Sequence, residues 1–417
     1  MLKNFFLITF RNLIKHPVYS FLTIFGLAVG IAAGFFILQY VHFETTYDHF
    51  FENKENIYRV QLNRYDRGEL ATQWASGCAG VGLAMKEDLP EVEAFVNLTK
   101  SSAQISYEKK YFTLDHAYYA GRSFFEVFSV PLLQGVDSLV LKNPFTVVLS
   151  KSLSEKIFGN TDPVGQYLTM NDEVKFEITG IFADLPERSH MAFDLLYSFE
   201  SYVKFTSENS RTEWQWDGFL NYIVLQPGTD PKVLAQKFPD FIEQRAGEEL
   251  RQYNAGMEFI LQPLTQIHLI SNYRGEIKAT GDEKATYFLL IIGLFVLVIA
   301  WINYVNLSTA HSLKRAREVG IRKVLGSFQS QLIRQFLLES TFMNLLAFLV
   351  AAAFILTLFP YFNHFLGRST AYSWPDSSLF WVGIFGLFLG GILLSGFYPA
   401  LVLSNFRPIT VLKGQFS

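Results

Sequence analysis

Long apolar runs separated by one polar block dominate the hydrophobic pattern of the chain. The stretch Pro17–Phe43 contains no Lys, Arg, Asp or Glu, and similar uncharged runs occupy Tyr287–Ala310, Phe342–Phe359 and Leu379–Leu403. An α-helix needs about 20 apolar residues to cross the roughly 30 Å hydrocarbon core of a bilayer. Four such runs in one chain therefore predict four membrane-spanning α-helices rather than the buried helices of a soluble core.

The apolar runs divide the chain into nine predicted segments. The largest is the polar block 44–285, for which we expect an extracytoplasmic α+β domain. The segments are an N-terminal amphipathic helix at 1–18, membrane spans at 19–43, 286–310, 336–359 and 379–403, the domain at 44–285, a cytoplasmic loop at 311–335, an outer loop at 360–378 and a cytoplasmic tail at 404–417.

The first apolar run has two alternative interpretations. It could be a cleaved signal peptide, with Ala28-Val29-Gly30 resembling a cleavage site. Its apolar part is too long for a signal peptide and follows an 18-residue lead, so an uncleaved anchor is favoured. The lead has apolar residues at helical spacing and ends at His16-Pro17. This pattern predicts an amphipathic helix in the membrane interface, and an extension of the first span is the alternative.

Within the polar block, short strand-like runs alternate with helical ones. This mixture predicts an α+β fold. The candidate strands are Ile57–Leu62, Thr146–Leu149, Phe176–Phe182 and Tyr222–Leu225, and the candidate helices are Lys151–Phe158 and Lys232–Glu249. The second helix is preceded by Asp230-Pro231, a suitable N-cap and first helical residue. Trp214, Trp216 and Phe219 are expected in the core, with an exposed binding patch as the alternative.

Charge is distributed unevenly along the chain, although the net charge is only −3. Residues 44–285 hold 23 Lys and Arg against 35 Asp and Glu, whereas 1–18, 311–335 and 404–417 together hold 11 basic residues and one acid. Short loops rich in Lys and Arg remain in the cytoplasm. We therefore expect a multi-pass protein of the bacterial inner (plasma) membrane, with both termini cytoplasmic and 44–285 extracytoplasmic. The basic residues flank apolar runs, so the lipid membrane is an expected partner and nucleic acid is not.

Composition supports membrane embedding and gives no sign of catalysis. Hydrophobic residues make up 50% of the chain, and the mean hydropathy is +0.19. Cys78 is the one cysteine, which excludes an internal disulfide framework or a cysteine-rich metal site. The sequence has no phosphate loop of the form G-x-x-x-x-G-K-[ST], no metal-ligand spacing of His and no nucleophile elbow. We therefore expect no catalytic, cofactor-binding or metal site.

Small residues recur at a spacing of four in two of the predicted spans. The first span contains Gly26, Gly30 and Gly34, and the fourth contains Gly386 and Gly390. Glycines four residues apart lie on one helix face and allow a neighbouring helix to approach closely. We expect these five residues to pack against other helices, with ordinary membrane-helix composition as the alternative.

Two asparagines lie in the inner half of the second predicted span. The amides of Asn303 and Asn306 would be unpaired if they faced lipid, so both are expected to face protein or water. Hydrogen bonding between helices is favoured over a role in substrate binding.

The cytoplasmic loop 311–335 combines basic and apolar residues. Val319, Val324 and Leu325 lie among Arg and Lys residues, and Gly326-Ser327 suits a helix end followed by a new N-cap. A solvated basic loop would explain the charges but not the apolar residues. We therefore predict a short helix parallel to the membrane that docks onto another protein.

This loop and its surroundings resemble the FtsX-like permease domain. The resemblance is carried by Ile302–Ala310, Arg315–Gly326 and Gln331–Ser340. The polar block is similar to the MacB-type periplasmic core, in the segments Tyr47–Phe50, Ile57–Val60, Phe124–Phe128, Phe158–Gly165, Thr179–Pro186 and Ile267–Leu269. The similar segments occur in the family's order and cover essentially the whole chain. The resemblance implies two lobes in the outer domain, the second inserted into the first.

The resemblance also implies a function. In this family the short cytoplasmic helix is a coupling helix that seats on an ABC ATPase dimer. That role would fall on Arg317, Glu318, Val319, Gly320, Ile321, Arg322, Lys323, Val324, Leu325 and Gly326. The expected function is a mechanotransmission permease: a separate ATPase binds ATP, the first two spans relay its motion, and a peptide, lipoprotein or hydrophobic drug is exported or extracted on the outer side.

Two other functions and further partners remain open. An FtsX-like regulator would control a cell-wall enzyme or sense a peptide without transport, and a simple anchored binding module would need no coupling helix. Family members often contain two copies of this four-span unit, and residues 407–414 resemble the linker between them. A second permease copy or a second repeat half is therefore an expected partner, and a periplasmic or outer-membrane adaptor is another.

Overall fold

The structure is a computed structural model that describes residues 14–102, 104–314, 328–366 and 378–404. The chain divides into two compact units. The membrane unit comprises Met1–Phe43 and Lys284–Ser417, and the α+β unit comprises Glu44–Glu283. The interfacial helix predicted for residues 1–18 lies almost entirely outside the described residues.

Helices and strands are named here in chain order. The α-helices among the described residues are α1 Pro17–Thr45, α2 Gly80–Asp88, α3 Phe124–Phe128, α4 Asp137–Val140, α5 Lys151–Phe158, α6 Phe199–Phe205, α7 Pro231–Ala235, α8 Phe238–Gln252, α9 Ile267–Ile270, α10 Glu283–Lys314, α11 Gln329–Phe365 and α12 Ser378–Ser404. The strands are β1 Ile57–Asp66, β2 Glu69–Trp74, β3 Val92–Ser101, β4 Gln104–Tyr107, β5 Lys110–Thr113, β6 Ala117–Ala120, β7 Leu132–Gln134, β8 Thr146–Ser150, β9 Tyr167–Met170, β10 Val174–Phe182, β11 Leu195–Ser198, β12 Leu220–Leu225 and β13 Ala255–Pro263.

Three helices of the membrane unit are long and apolar enough to cross a bilayer. They contribute the stretches Pro17–Thr45, Glu283–His311 and Leu337–Phe365. The fourth helix, α12, contributes the shorter apolar stretch Ser378–Leu393. Three predicted spans therefore correspond to helices of sufficient length, and a membrane crossing by α12 stays a prediction.

Helices α1 and α10 approach each other closely along the glycines of α1. A Cβ atom on Gly30 would overlap the Cβ of Ala300, and one on Gly34 would lie 2.7 Å from the Leu297 side chain. A Cβ on Gly26 would lie 3.5 Å from Nδ2 of Asn303. The absence of side chains at Gly30 and Gly34 is therefore what permits this helix spacing.

The glycines of α12 have different surroundings. A Cβ on Gly386 or Gly390 would meet no atom within 4 Å among the described residues. The adjacent Gly391 lies on another face of the helix and packs closely against Trp301. A Cβ on Gly391 would overlap the indole nitrogen of Trp301. A packing role for Gly386 and Gly390 therefore needs a partner beyond the described part of this chain and stays a prediction.

A tyrosine makes the hydrogen bond between membrane helices that the sequence analysis expected from asparagine. The hydroxyl of the buried Tyr304 in α10 donates to Oγ of Ser340 in α11 at 3.0 Å. Asn303 and Asn306 are exposed at the surface of this single chain. Tyr304 can face inward while both asparagines are exposed, because residues 303 and 306, three apart, lie on one side of the helix and residue 304 points away from that side.

The α+β unit is built on one mixed sheet with the strand order β13-β1-β12-β3-β6-β11-β8-β10-β9-β4-β5. Strand β2 pairs with β1 and β7 pairs with β10. The pairs β6–β11 and β8–β10 are parallel, and the other pairs are antiparallel. The α+β fold class is thus confirmed. All strands from β4 to β11 fall between β3 and β12 in the sequence, so one half of the sheet is an insertion into the other.

Strand β1 separates two environments by the alternation of its side chains. Val60 and Leu62 pack into an apolar cluster with Phe241 of α8. Arg59 and Gln61 point to the opposite face, where both contact Gln262 of β13. This alternation places the buried arginine on the opposite face of the strand from that apolar cluster.

Two local predictions in the α+β unit need correction. The single helix expected at Lys232–Glu249 is two helices, α7 and α8, because Pro239 lacks an amide hydrogen and starts a new helix. The predicted cap of α7 is present, since Asp230 accepts a hydrogen bond from the Lys232 amide at 2.8 Å. The expected burial of the aromatic group holds for Phe219, but Trp216 is 48% exposed.

The contact between α1 and α10 predicts the effect of added side chains. Gly30→Val should lower the free energy of unfolding by about 1–3 kcal/mol, because overpacking forces the two helices apart. Gly386→Val is the matched control, since a Cβ at that position would have no described atom within 4 Å. Thermal unfolding of the purified chain in detergent measures both effects. Equal midpoints for the two variants would contradict the close contact.

Candidate functional site

Buried polar residues of the α+β unit cluster around the segments that follow α1 and precede α10. We call this group the polar joint. It consists of Glu44, Asp48, Arg59, His190, Tyr222, His268 and Glu276, each at most about one tenth exposed. Polar groups of this kind are seldom buried without partners, because their desolvation is costly.

An ion pair between Arg59 and Glu276 lies at the centre of the joint. The Arg59 side chain is 0% exposed, and its Nη1 and Nη2 donate to the two carboxylate oxygens of Glu276, each at 2.6 Å. Nη2 also donates to Gln262 at 2.8 Å and to Ser271 at 3.1 Å. Burial acts to lower the pKa of Arg59, but the hydrogen bonds and charges of Glu276 and Tyr222 together outweigh it, and the pKa is raised. The guanidinium therefore remains charged and bound to the segment that leads into α10.

A second chain of contacts runs from Asp48 to the centre of the sheet. Asp48 is fully buried, and its carboxylate lies 2.9 Å from Nδ1 of His190 and accepts from the His190 amide at 3.0 Å. Nε2 of His190 lies 2.8 Å from the hydroxyl of Tyr222. Burial raises the pKa of Tyr222, so the hydroxyl keeps its proton. Tyr222 pairs across the sheet with Arg59, which connects the two sets of contacts.

Asp48 also has an unusual backbone. Its φ angle is +61°, in the left-handed region that Asp tolerates better than most residues. The Asp48 amide donates to the carbonyl of Arg188 at 3.0 Å. Asp48 lies three residues after the end of α1. Its side-chain and backbone hydrogen bonds together hold this turn against the 188–190 segment.

A third contact joins the end of α1 to the segment before α10. Oε2 of Glu44, in the last turn of α1, lies 2.7 Å from Nε2 of His268. The ring of Tyr47 stacks on the His268 imidazole with a centroid separation of 3.4 Å. A Cβ on Gly281 would lie 2.9 Å from both Glu44 Oε2 and His268 Nε2, and the Gly281 amide donates to the His268 carbonyl at 2.7 Å. A side chain at position 281 would therefore displace the end of the Glu44 or His268 side chain.

Lys278 adds a charge beside the joint. Its Nζ donates to the carbonyl of Glu187 at 3.2 Å. Burial lowers the pKa of Lys278, against the opposing effects of Asp48 and Glu187.

The sequence-predicted site residues fall in three places. Gly26, Gly30 and Gly34 lie in the contact between α1 and α10, and Gly386 and Gly390 lie on the open face of α12. The proposed coupling residues, Arg317–Gly326, lie outside the described residues, and their role stays a prediction. The polar joint is not apparent from the sequence alone. Its available signals were a carboxylate directly after an apolar run, Glu44, and a charge within an apolar strand, Arg59.

The fold and this site define a class: a multi-pass membrane protein with a large α+β domain inserted between its first two membrane helices. Residues 20–240 match the MacB-like periplasmic core domain family, which is more than half of the chain. Residues 290–408 match the FtsX-like permease C-terminal family. The chain therefore belongs to the MacB/FtsX-type permease family of ABC transporters, as a multi-pass membrane protein with a periplasmic domain.

Individual relatives are distant in sequence. The chain is 25% identical over 341 residues to the pyoverdine export ATP-binding/permease protein PvdT of Pseudomonas syringae pv. syringae, covering 79% of this chain and 47% of the relative. It is 24% identical over 369 residues to the macrolide export ATP-binding/permease protein MacB of Burkholderia cenocepacia, covering 85% of this chain and 50% of the relative. The chain thus spans about half the length of these curated relatives.

Among solved structures, the chain is similar to a domain of a permease protein from Porphyromonas gingivalis. The TM-score is 0.45 at 24% sequence identity, and the match covers 51% of this chain and 91% of that domain.

Breaking the central ion pair should destabilise the protein strongly. Glu276→Leu leaves the fully buried Arg59 without its counter-charge, and we expect a loss of about 3–5 kcal/mol in the free energy of unfolding. Asp88→Leu is the matched control, because Asp88 pairs with Arg245 at the surface and such pairs contribute about 0–1 kcal/mol. Unfolding of the full chain in detergent measures both losses.

The double variant Arg59→Met/Glu276→Leu tests the cause of that loss. It removes both charges, so it should recover most of the stability that Glu276→Leu loses. If the double variant is no more stable than the single variant, the unpaired charge is not the source of the loss.

Proposed function

We propose that the chain is the transmembrane permease of a mechanotransmission ABC transporter. An ABC ATPase dimer on the cytoplasmic side would drive it, and the periplasmic domain would export or extract a peptide, lipoprotein or hydrophobic drug at the outer side of the inner membrane. The observation that carries this proposal is the polar joint. Just before α10, Glu276 binds Arg59 of β1, and just after α1, Asp48 contacts His190, whose ring lies 2.8 Å from the hydroxyl of Tyr222 in β12.

The joint supports the proposal because it resists separation. Moving Glu44 or Gly281 alone would break the Glu44–His268 contact inside a buried site. Separating buried charged partners costs several kcal/mol, whereas apolar side chains can slide with less loss. A displacement of either helix end would therefore move the sheet with it.

The energy source is proposed to be a partner ATPase. The 417 residues contain no phosphate loop, and the loop 311–335 carries the basic and apolar residues proposed to dock on the ATPase. The charge distribution supports cytoplasmic termini and a cytoplasmic position of this loop. The relatives whose names combine ATP binding with a permease support an ATP-driven process.

The route of the substrate is proposed to lie on the periplasmic side. The predicted spans at 19–43 and 286–310 contain no charged residue, and ion-coupled transporters depend on such residues within the membrane. Pyoverdine and macrolides appear in the names of relatives and support an export function of this general kind. A periplasmic or outer-membrane adaptor would receive the substrate.

A coupling experiment tests this function. The chain is reconstituted in vesicles with its ATPase, and ATP hydrolysis and ATP-dependent release of a dye or peptide are measured. Arg322→Glu should abolish the stimulation of ATP hydrolysis and the transport, because it reverses a charge of the proposed docking surface. Gly281→Val should keep the stimulation but reduce transport at least tenfold, because it opens the Glu44–His268 contact.

Arg245→Glu is the control, since Arg245 lies on the surface of the periplasmic domain away from the polar joint. Arg245→Glu should change the stimulation of ATP hydrolysis and the transport by less than twofold relative to the unmodified chain. If Arg322→Glu abolishes transport but leaves the stimulation of ATP hydrolysis unchanged, the proposed docking is contradicted. Coupled ATP hydrolysis with no transport of any probe would instead indicate the FtsX-like regulator.

A second permease copy or second repeat half is proposed to cover one face of α10. Asn303 and Asn306 are exposed in the single chain, and an amide facing lipid would have no hydrogen-bond partner. The open face of Gly386 and Gly390 on α12 offers a further place for close helix contact.

Cysteine cross-linking in native membranes tests the second copy. Under oxidation, Asn306→Cys should form covalent dimers, because two copies would meet along this face. Leu349→Cys is the control on α11, where the side chain is 57% exposed. The native Cys78 is buried and its thiol pKa is raised, so it should not react. Equal cross-linking at both positions would contradict a dimer through α10.

A further inference from the structure

Strand β13 forms an open edge of the sheet. It pairs with β1 from Tyr58↔Pro263 to Asp66↔Ala255, and it is the terminal strand of the sheet order. In an antiparallel pair, every second residue turns its N–H and C=O away from the partner strand. Among the described residues, no backbone group outside β1 hydrogen-bonds to the backbone of β13. A row of donors and acceptors is therefore available along this edge.

The opposite end of the sheet is protected in the usual way. Strand β5 has only four residues, and Lys109 and Lys110 stand exposed at its start. Short length and lysine are the common devices that prevent an edge from pairing with other chains. Strand β13 has nine residues and no lysine or arginine. Its one charge, Glu258, is turned onto the neighbouring strand, where it accepts bonds from Asn63 and Tyr65.

A groove of about 740 Å³ runs along this edge. Met257, Ile260 and Leu261 of β13 line it together with Phe238 and Ile242 of α8. Ile260 lies on one face of the strand and Met257 and Leu261 on the other, so side chains from both faces reach the groove. A strand added at this edge would find apolar contacts on both of its own faces.

We propose that the β13 edge binds an extended peptide segment by strand addition. The complement of alternating backbone donors and acceptors is another extended backbone, and neither an acyl chain nor an aromatic drug can supply it. The apolar lining selects a segment with apolar side chains at alternating positions. Nine residues of strand correspond to about 30 Å, which accommodates a peptide of roughly eight residues. The inference does not depend on ATP coupling.

Backbone methylation provides a direct test. A fluorescent octapeptide of alternating Val and Thr is titrated against the full chain in lipid nanodiscs, and its binding is followed by anisotropy. Two further peptides carry N-methyl groups on the odd or on the even residues. Because an added strand donates through alternate residues, one methylated peptide should bind at least tenfold more weakly than the other. No binding of the parent peptide, or equal binding of all three peptides, would overturn the proposal.

Substitution of the edge locates the site. Ile260→Lys introduces the protective device that β13 lacks and should weaken binding of the parent peptide at least tenfold. Tyr111→Lys is the matched control on the opposite edge strand, where the side chain is 56% exposed, and should change binding less than twofold. Equal effects of the two variants would overturn the proposal. The proposal would also be overturned if the chain is a dimer and Ile260→Lys converts it to a monomer while peptide binding is unchanged. A second copy of the chain would then be the occupant of the edge.

Discussion

The α+β domain depends on the charge of Arg59, which is buried in the sheet and cannot be left unpaired. Its guanidinium binds both carboxylate oxygens of Glu276, and this bond fixes the segment that leads into α10. Through Tyr222 and His190, the same buried region reaches Asp48, just after the end of α1. Leaving this buried charge unpaired would cost about 3–5 kcal/mol, so Arg59 and Glu276 are expected to be buried together.

Close packing in the membrane complements this joint. Gly30 allows α1 and α10 to approach closely, because the methyl group of Ala300 fills the space that a side chain at position 30 would need. Of these two helices, α1 carries Glu44 in its last turn, and α10 begins two residues after Gly281. The buried polar contacts and the close helix contact therefore involve the same two helices and the segments next to them. Strand β13 lies next to the polar joint, because it pairs with β1 and its Gln262 accepts a hydrogen bond from Arg59.

Local elements of the fold can be predicted from the sequence, whereas contacts between distant segments cannot. The long apolar helices, the cap of α7 at Asp230 and the helix Lys151–Phe158 follow from local patterns. Pro239 is a local signal for a helix boundary, but the helical pattern on both sides of it predicts one continuous helix. The contacts of Arg59 were not predictable, because Glu276 lies 217 residues further along the chain. Pairing over such a distance depends on strand order, which periodicity does not contain.

The sequence by itself determined the class of protein: apolar length gives membrane helices, the charge distribution indicates their orientation, and short motifs indicate the permease family. Only the tertiary structure decided which residues act together. Glu44 and His268 became a pair, and β13 became an edge, because strand order and chain crossings bring distant segments into contact. The physical reason is that hydrophobicity acts locally along the chain, whereas ion pairs and strand edges exist only after distant segments meet.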